Sequence, residues 1–316
     1  MNGDPTQFEE PILKIRRQIE ELAAMEVEPA RQAEIAELQK KLTKVSAEIY
    51  ASLTPWQKTL VARNGQRPYT LDYISFLFDE FTEIHGDRKF GDDAAIVGGF
   101  GRFRGVACAV VGHQKGRNTK EKVLRNFGQP KPEGFRKALR IMKMAEKFNL
   151  PIFSFIDTQG AYPGVGAEER GQAEAIAVNL REMASMTVPI IVSVIGEGGS
   201  GGALALGVGD RVFMLEHAVY SVISPEGCAA ILWKNSSAAP EAAAAMKITA
   251  QDLKRLNIID EIVPEPIGGA HSDPAAAADL LGPFLEKALK ELQKIKRALL
   301  PEERYKKFRR MGVFET

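Results

Sequence analysis

Pro151-Ile-Phe-Ser-Phe-Ile156 and Val188-Pro-Ile-Ile-Val-Ser-Val-Ile195 are near-continuous apolar runs, and a glycine-rich loop follows each. The first loop is Asp157-Thr-Gln-Gly-Ala-Tyr-Pro-Gly164 and the second is Gly196-Glu-Gly-Gly-Ser-Gly-Gly202. Such a run suits a strand covered on both faces, as in a parallel sheet flanked by helices. Working outward, strands are predicted over 94–100, 106–111, 212–215 and 219–223. Helices are predicted over 71–81, 135–148 and 166–184, with a short small-residue helix over 201–208. Strands alternating with helices favour an α/β fold with parallel pairing and right-handed crossovers.

Two helical regions flank this body. Phe8, Ile12, Ile15, Ile19 and Leu22, then Ile35, Leu38, Leu42, Val45 and Ile49, recur at alternating steps of three and four, a heptad seam on each of two helices. Glu28-Pro29-Ala30 should end the first helix and begin the second. The pair reads as a hairpin folded on its own body or as an arm for a partner. At the other end, a helix runs from Pro274 to about Leu300, followed by a basic stretch over 304–310. A solvated basic face is the default reading of that stretch, and contact with an acidic partner or cofactor is the alternative.

Composition narrows the function. Of 316 residues, 45% are hydrophobic and 26% charged, with a net charge of +1, so the chain lacks the basic excess of a nucleic-acid binder. Cys108 and Cys228 are too few for a four-thiolate zinc site and read as reduced packing residues of an intracellular protein. Residues 1–10 match no signal or transit peptide, and no apolar run reaches the ~20 residues of a membrane span.

The chemistry is expected at the two loops, because ligands in open α/β sheets bind beyond the carboxyl ends of the strands. Each loop leads into a helix, whose first N–H groups are unsatisfied and carry partial positive charge. With glycines allowing close backbone approach, this makes a hole for an oxyanion. A phosphate loop fits poorly, since Ala203 stands where a lysine would follow the last glycine, and the looser G-x-G-x-x-G match lacks an acidic ribose partner. Ser200 in Gly198-Gly-Ser-Gly-Gly202 resembles a nucleophile elbow. However, none of His85, His113, His217 and His271 announces itself as its base, and Lys115 would serve only if the fold brought it close. Ser200 therefore reads first as a small turn residue. No metal-ligand spacing is present. The basic segment from His113 through Lys137 reads as a long loop whose cations could meet coenzyme A phosphates or a carboxylated cofactor.

Seven segments in order carry a resemblance over nearly the whole chain. They are Arg67-Pro-Tyr-Thr-Leu-Asp-Tyr73, Gly112-His-Gln-Lys-Gly116, Arg125-Asn-Phe-Gly128, Ala161-Tyr-Pro-Gly-Val-Gly-Ala-Glu-Glu-Arg-Gly171, Ile195-Gly-Glu-Gly-Gly-Ser-Gly-Gly-Ala-Leu204, Tyr220-Ser-Val-Ile-Ser-Pro-Glu-Gly-Cys228 and Pro264-Glu-Pro-Ile-Gly-Gly-Ala-His271. With these the sequence resembles the carboxyltransferase α-chain family of bacterial and plastid multi-subunit acetyl-CoA carboxylases. The family usually has Asp-Thr-Pro-Gly-Ala where this chain has Asp157-Thr-Gln-Gly-Ala161, and Gln159 restores an N–H and frees φ.

The resemblance implies a crotonase-type α/β fold of repeated ββα units over 67–270, with a helical arm over 1–66 and a C-terminal helical segment over 271–316. It implies carboxyl transfer from carboxybiotin to acetyl-CoA, giving malonyl-CoA for fatty acid biosynthesis. The backbone N–H groups of Gly201 and Gly202 would form the hole for carboxybiotin, Gly198, Gly199 and Ser200 would shape the loop, and Gly160, Ala161, Tyr162 and Lys115 would line the site. The implied partners are a β subunit in an α2β2 assembly, which would hold the acyl-CoA and carry the zinc, a biotin carboxyl carrier protein, and biotin carboxylase in the wider complex. The compartment would be the cytoplasm, or the plastid stroma in a plant. A crotonase-fold serine hydrolase and a non-catalytic assembly subunit are the alternatives.

Overall fold

The computed structural model describes residues 7–25 and 29–312, so Glu28 of the expected break between the arm helices, and residues 1–6 of the N-terminal segment, lie outside it. The heptad seams fold as α1 (Glu10–Ala23) packed along α2 (Pro29–Ala51). Towards the tip Ile19, Leu22, Ile35 and Leu38 stay half-buried. At the root Ile12, Tyr50, Leu53 and Val61 form a small core with Phe8, Leu42, Val45 and Ile49. The Tyr50 hydroxyl donates to the Glu9 carboxylate, and its ring meets His217 edge-on with centroids 5.2 Å apart. The base of the hairpin is thereby seated on the body.

The joint begins with a capping box. Gln57 N–H donates to Thr54 Oγ1 and Thr54 N–H to Gln57 Oε1, which starts α3 (Pro55–Ala62). The helix expected over 71–81 is shorter, since α4 (Thr70–Leu77) gives way to β1 (Phe78–Glu83). The reason is packing: Phe78 is buried against the rings of Phe103, Phe153 and Phe155, and alternation in Phe78-Asp-Glu-Phe-Thr-Glu83 suits a strand. β2 (Ile96–Phe103) and β3 (Val106–His113) form a hairpin across Arg104 and Gly105, at φ +48° and +81°, a two-residue turn whose twist matches its strands.

The expected long loop over 113–137 instead contains α5 (Thr119–Leu124), capped by Asn118, and the start of α6 (Pro132–Phe148). Next come β4 (Ile152–Thr158), α7 (Val165–Glu169) and α8 (Gln172–Ser185). The single helix expected over 166–184 is broken at Gly171, where φ is +83°. The chain continues with β5 (Ile190–Gly199), α9 (Ser200–Leu204), β6 (Arg211–Leu215) and β7 (Val219–Ser221), so the predicted 201–208 helix and 219–223 strand are both shorter. It ends with α10 (Pro225–Trp233), α11 (Ala239–Met246), α12 (Ala250–Arg255), β8 (Glu261–Val263), α13 (Pro274–Leu292) and α14 (Leu300–Arg309).

The sheet order is β1-β2-β3-β4-β5-β6-β8, with β7 on the far end of β5. Pairing is parallel from β3 onward and antiparallel for β1, β2 and β3. Strand–strand–helix units appear as β2–β3–α6 and β6–β7–α10. β4 and β5 are buried at every residue, as their unbroken apolar sequences require. The main core joins them to Ile141 and Met142 of α6 and to Leu281, Leu285 and Leu292 of α13.

Two buried ion pairs tie distant segments together. Arg67 donates to both Glu265 oxygens at 2.8 Å and to the Ile195 carbonyl at 2.9 Å. Arg304 corrects the reading of 304–310 as a solvated face. It is 1% exposed, pairs with Asp210 at 2.9–3.0 Å, and donates to the carbonyls of Met183 and Met186 at the end of α8. A carboxylate and several helix-end carbonyls that would otherwise be orphaned meet on one guanidinium.

Candidate functional site

β4 and β5 are adjacent and parallel, so their loops emerge side by side at the carboxyl edge of the sheet. The loops meet backbone to backbone. A Cβ at Gly202 would lie 2.7 Å from Ala161 N and from the Gly160 carbonyl carbon, and one at Gly199 would collide with the Gln159 carbonyl. Only glycine permits both approaches. The first loop is braced by Thr158, whose Oγ1 accepts the Gly160 N–H at 3.1 Å and donates to the Gly160 carbonyl at 2.8 Å. Gln159 is exposed at the turn, with its backbone lying against Gly199.

Ser200 turns the chain from strand to helix at φ +50°, a left-handed conformation uncommon for a residue with a side chain. α9 starts there, so the N–H groups of Ser200, Gly201 and Gly202 form a first turn with no intrahelical acceptor. A Cβ at Gly201 would meet only the Ile176 side chain, at 3.3 Å. Ser200 thus has the backbone of a nucleophile elbow, but among the described residues no side chain hydrogen-bonds to its hydroxyl. Ser200 and Leu204 also wall an apolar cavity of about 370 Å³, with Tyr220, Val222, Phe308 and Met311 opposite.

A Cβ at Gly198 would press on the Tyr220 ring at 2.8 Å, so Gly198 packs the loop against β7. Ala161 sits beside Phe135 and Ala205. Tyr162 donates its N–H to the Pro130 carbonyl at 2.9 Å, and its ring lies under the Lys131 ammonium at 5.2 Å. Lys115 comes close to the loops but not to Ser200. Its ammonium donates to Asp157 Oδ1 at 2.6 Å. Burial pushes the Lys115 pKa down, and the carboxylates of Asp157 and Glu197 outweigh it, leaving the pKa raised and the group charged.

Three features here were not read from the sequence. Asp157 accepts the Glu197 N–H at 3.0 Å as well as the Lys115 ammonium. His113 is fully buried beneath the loops, and burial pushes its pKa down to about 3 against weaker opposing pulls from the backbones of Gly202 and Phe155. Glu197 is held by Arg63, which also grips Glu226 at the start of α10. Gly112-His-Gln-Lys-Gly116 was legible as a motif, but nothing local showed which side chains it would meet.

Two glycine loops thus meet at the ends of two adjacent parallel strands, beside the first turn of α9. The family described as acetyl co-enzyme A carboxylase carboxyltransferase-like matches residues 5–312. The chain belongs to that family. The acetyl-coenzyme A carboxylase carboxyl transferase subunit alpha of Geobacter metallireducens is 57% identical over 309 residues, covering 98% of this chain and 97% of that one. The subunit alpha of Bordetella pertussis is 56% identical over 311 residues, with 98% and 97% covered. Among solved structures, transcarboxylase 12S superposes with a TM-score of 0.55 at 23% identity over 69% of this chain, which spans 42% of that longer one. The Pseudomonas malonate decarboxylase MdcD-MdcE hetero-dimer gives a TM-score of 0.57 at 17% identity, with 70% and 90% covered. These likenesses show the crotonase-like α/β fold. Family membership makes the chain the α component of an acetyl-CoA carboxylase carboxyltransferase, an enzyme that transfers carboxyl groups.

Proposed function

We propose that this chain supplies the carboxybiotin side of a split active site, with the N–H groups of Gly201 and Gly202 as its oxyanion hole. The observation that carries the reading is the backbone-to-backbone closure of the two loops around the first turn of α9, where no side chain among the described residues hydrogen-bonds to the Ser200 hydroxyl. A carbonyl oxygen that gains negative charge is stabilised by such fixed donors, each worth roughly 3 kcal/mol in comparable sites. Carboxybiotin, when bound, supplies an activated carboxyl group. Gly198, Gly199 and Ser200 set the loop's path, and Gly160 and Ala161 form its opposite wall, with Tyr162 at the edge. No side chain of this chain needs to move a proton.

In this reading a β-type partner holds the acyl-CoA thioester and carries the zinc. A biotin carrier protein delivers the carboxyl group, and biotin carboxylase works upstream. Among the described residues no group of three or more His, Cys, Asp or Glu could hold a metal, and no helix is long and apolar enough to cross a membrane.

The test compares Gly202→Ala with Gly201→Ala in a complex reconstituted with a β subunit. Gly202→Ala drives a Cβ into loop backbone and should lower carboxyl transfer by about a hundredfold, the cost of a displacement near 1 Å. Gly201→Ala meets one flexible isoleucine and should retain most activity. Equal activity in the two variants would remove the loop closure from the mechanism.

A further inference from the structure

β4 and β5 do not run in continuous register up to their loops. Ile156 lies opposite Val194, but Thr158 lies opposite Gly198, so two steps along β4 match four along β5. The surplus on β5 falls at residues 195–197, and the Asp157 side chain fills the bulge. Its Oδ1 accepts the Glu197 N–H at 3.0 Å, replacing the ladder bond that the shifted register breaks. Gly196 is glycine because the carboxylate occupies the place of its Cβ. Past the bulge, Glu197, Gly198 and Gly199 pair with β7 on the side where residues 191–194 pair with β6, and Ser200, Gly201 and Gly202 follow at once. The path of β5 beyond residue 195 therefore depends on Asp157.

Asp157 is in turn held from two sides. Its N–H donates to His113 Nδ1 at 3.4 Å, and the Lys115 ammonium sits on the same Oδ1 at 2.6 Å. The Lys115 side chain is 17% exposed and the Asp157 side chain 3%, so the two charges are largely out of water and neutralise each other. The Lys115 stem passes a glycine with positive φ, Gly128, where a Cβ would lie 2.5 Å from Lys115 Cγ. Three of the segments that carry the resemblance, those with Lys115, Gly128 and Gly196, thus come together around Asp157 and its ion pair.

We infer that Asp157 and Lys115 are positioning residues. The carboxylate wedges the β5 bulge that sets the course of the Gly198–Gly202 backbone, and Lys115 neutralises that carboxylate rather than meeting the substrate. The inference rests on the proposed oxyanion hole and adds what fixes it in place.

The experiment uses the complex with a β subunit and three variants, Lys115→Met, Asp157→Asn and the double variant. Asparagine can still accept the Glu197 N–H through its side-chain oxygen, so the double variant keeps the wedge and removes both charges. Either single variant leaves one buried charge without its partner. The singles should lose kcat by about tenfold or more with the KM for acyl-CoA unchanged, and the double should recover most of it. Hydrogen exchange over residues 190–205, measured on the same complexes, should speed up in the singles and return towards wild type in the double. A double variant as inactive as Lys115→Met would overturn the inference, because Lys115 would then act on the substrate itself. So would single variants that raise KM with kcat unchanged, or unaltered exchange in the singles. A wild-type complex without carboxyl transfer would instead count against the proposed function.

Discussion

Ser200 is where the carboxyltransferase and hydrolase readings of this fold part. Its φ of +50° strains an ordinary residue, and its hydroxyl has no base among the described residues. Ser200→Gly relieves the strain and should keep transfer within about threefold of wild type while leaving stability equal or higher by about 1 kcal/mol. A serine-directed phosphonate should not label the wild-type chain, and labelling coupled to loss of activity in Ser200→Gly would restore the nucleophile. At this scale the close meeting of the two loops was legible in the sequence, because a cluster of glycines after a buried strand marks tight backbone approach. Asp157 was not, since one acid at a strand end looks like a turn former and its counter-charge lies 42 residues away.

Among the elements, α14 shows what sequence pattern cannot supply. The stretch over 304–310 is basic, and basic stretches are usually solvated, yet Arg304 is buried on Asp210 and caps the end of α8. Arg304→Met leaves Asp210 buried without a counter-charge and should destabilise the chain by about 3–5 kcal/mol in urea unfolding. Lys306→Met, which removes exposed pairs to Glu302 and Glu303, should leave the urea midpoint essentially unchanged. Equal effects would mean that α14 is not latched through Arg304. The same limit explains β1. Its alternation is short and follows a helical pattern without a break, and only the ring of Phe78 among three others decides where the helix stops. The long runs of β4 and β5 needed no such context, which is why the centre of the sheet was read correctly and its edge was not.

Over the whole molecule, the Arg67–Glu265 clasp joins the segment before α4 to the segment after β8 and touches β5 between them. Burial would raise the Glu265 pKa, but Arg67 outweighs it and holds the carboxyl at about 2, below its ordinary 4.5. The unfolded chain therefore takes up that proton first as pH falls, and the clasp's stability, complete above pH 4.5, is lost towards pH 2. His113 acts in a higher window. Burial holds its imidazole neutral down to about pH 3 while the unfolded group protonates near 6.5, so stability falls from pH 6.5 downward. Urea midpoints should drop between about pH 7 and pH 5 in the wild type and less so in His113→Gln, and the further fall below about pH 4.5 should be blunted in Glu265→Gln. A wild-type midpoint that stays flat from pH 7 to about pH 4 would contradict the buried neutral histidine.

A chain that holds one half of a carboxyltransferase site needs its partner for turnover. The most direct measurement is malonyl-CoA-dependent carboxylation of free biotin by this chain alone, by a purified β subunit alone, and by the two together. Activity only in the mixture is the predicted result. Activity from this chain alone, or none from a stable mixture, would contradict the split site.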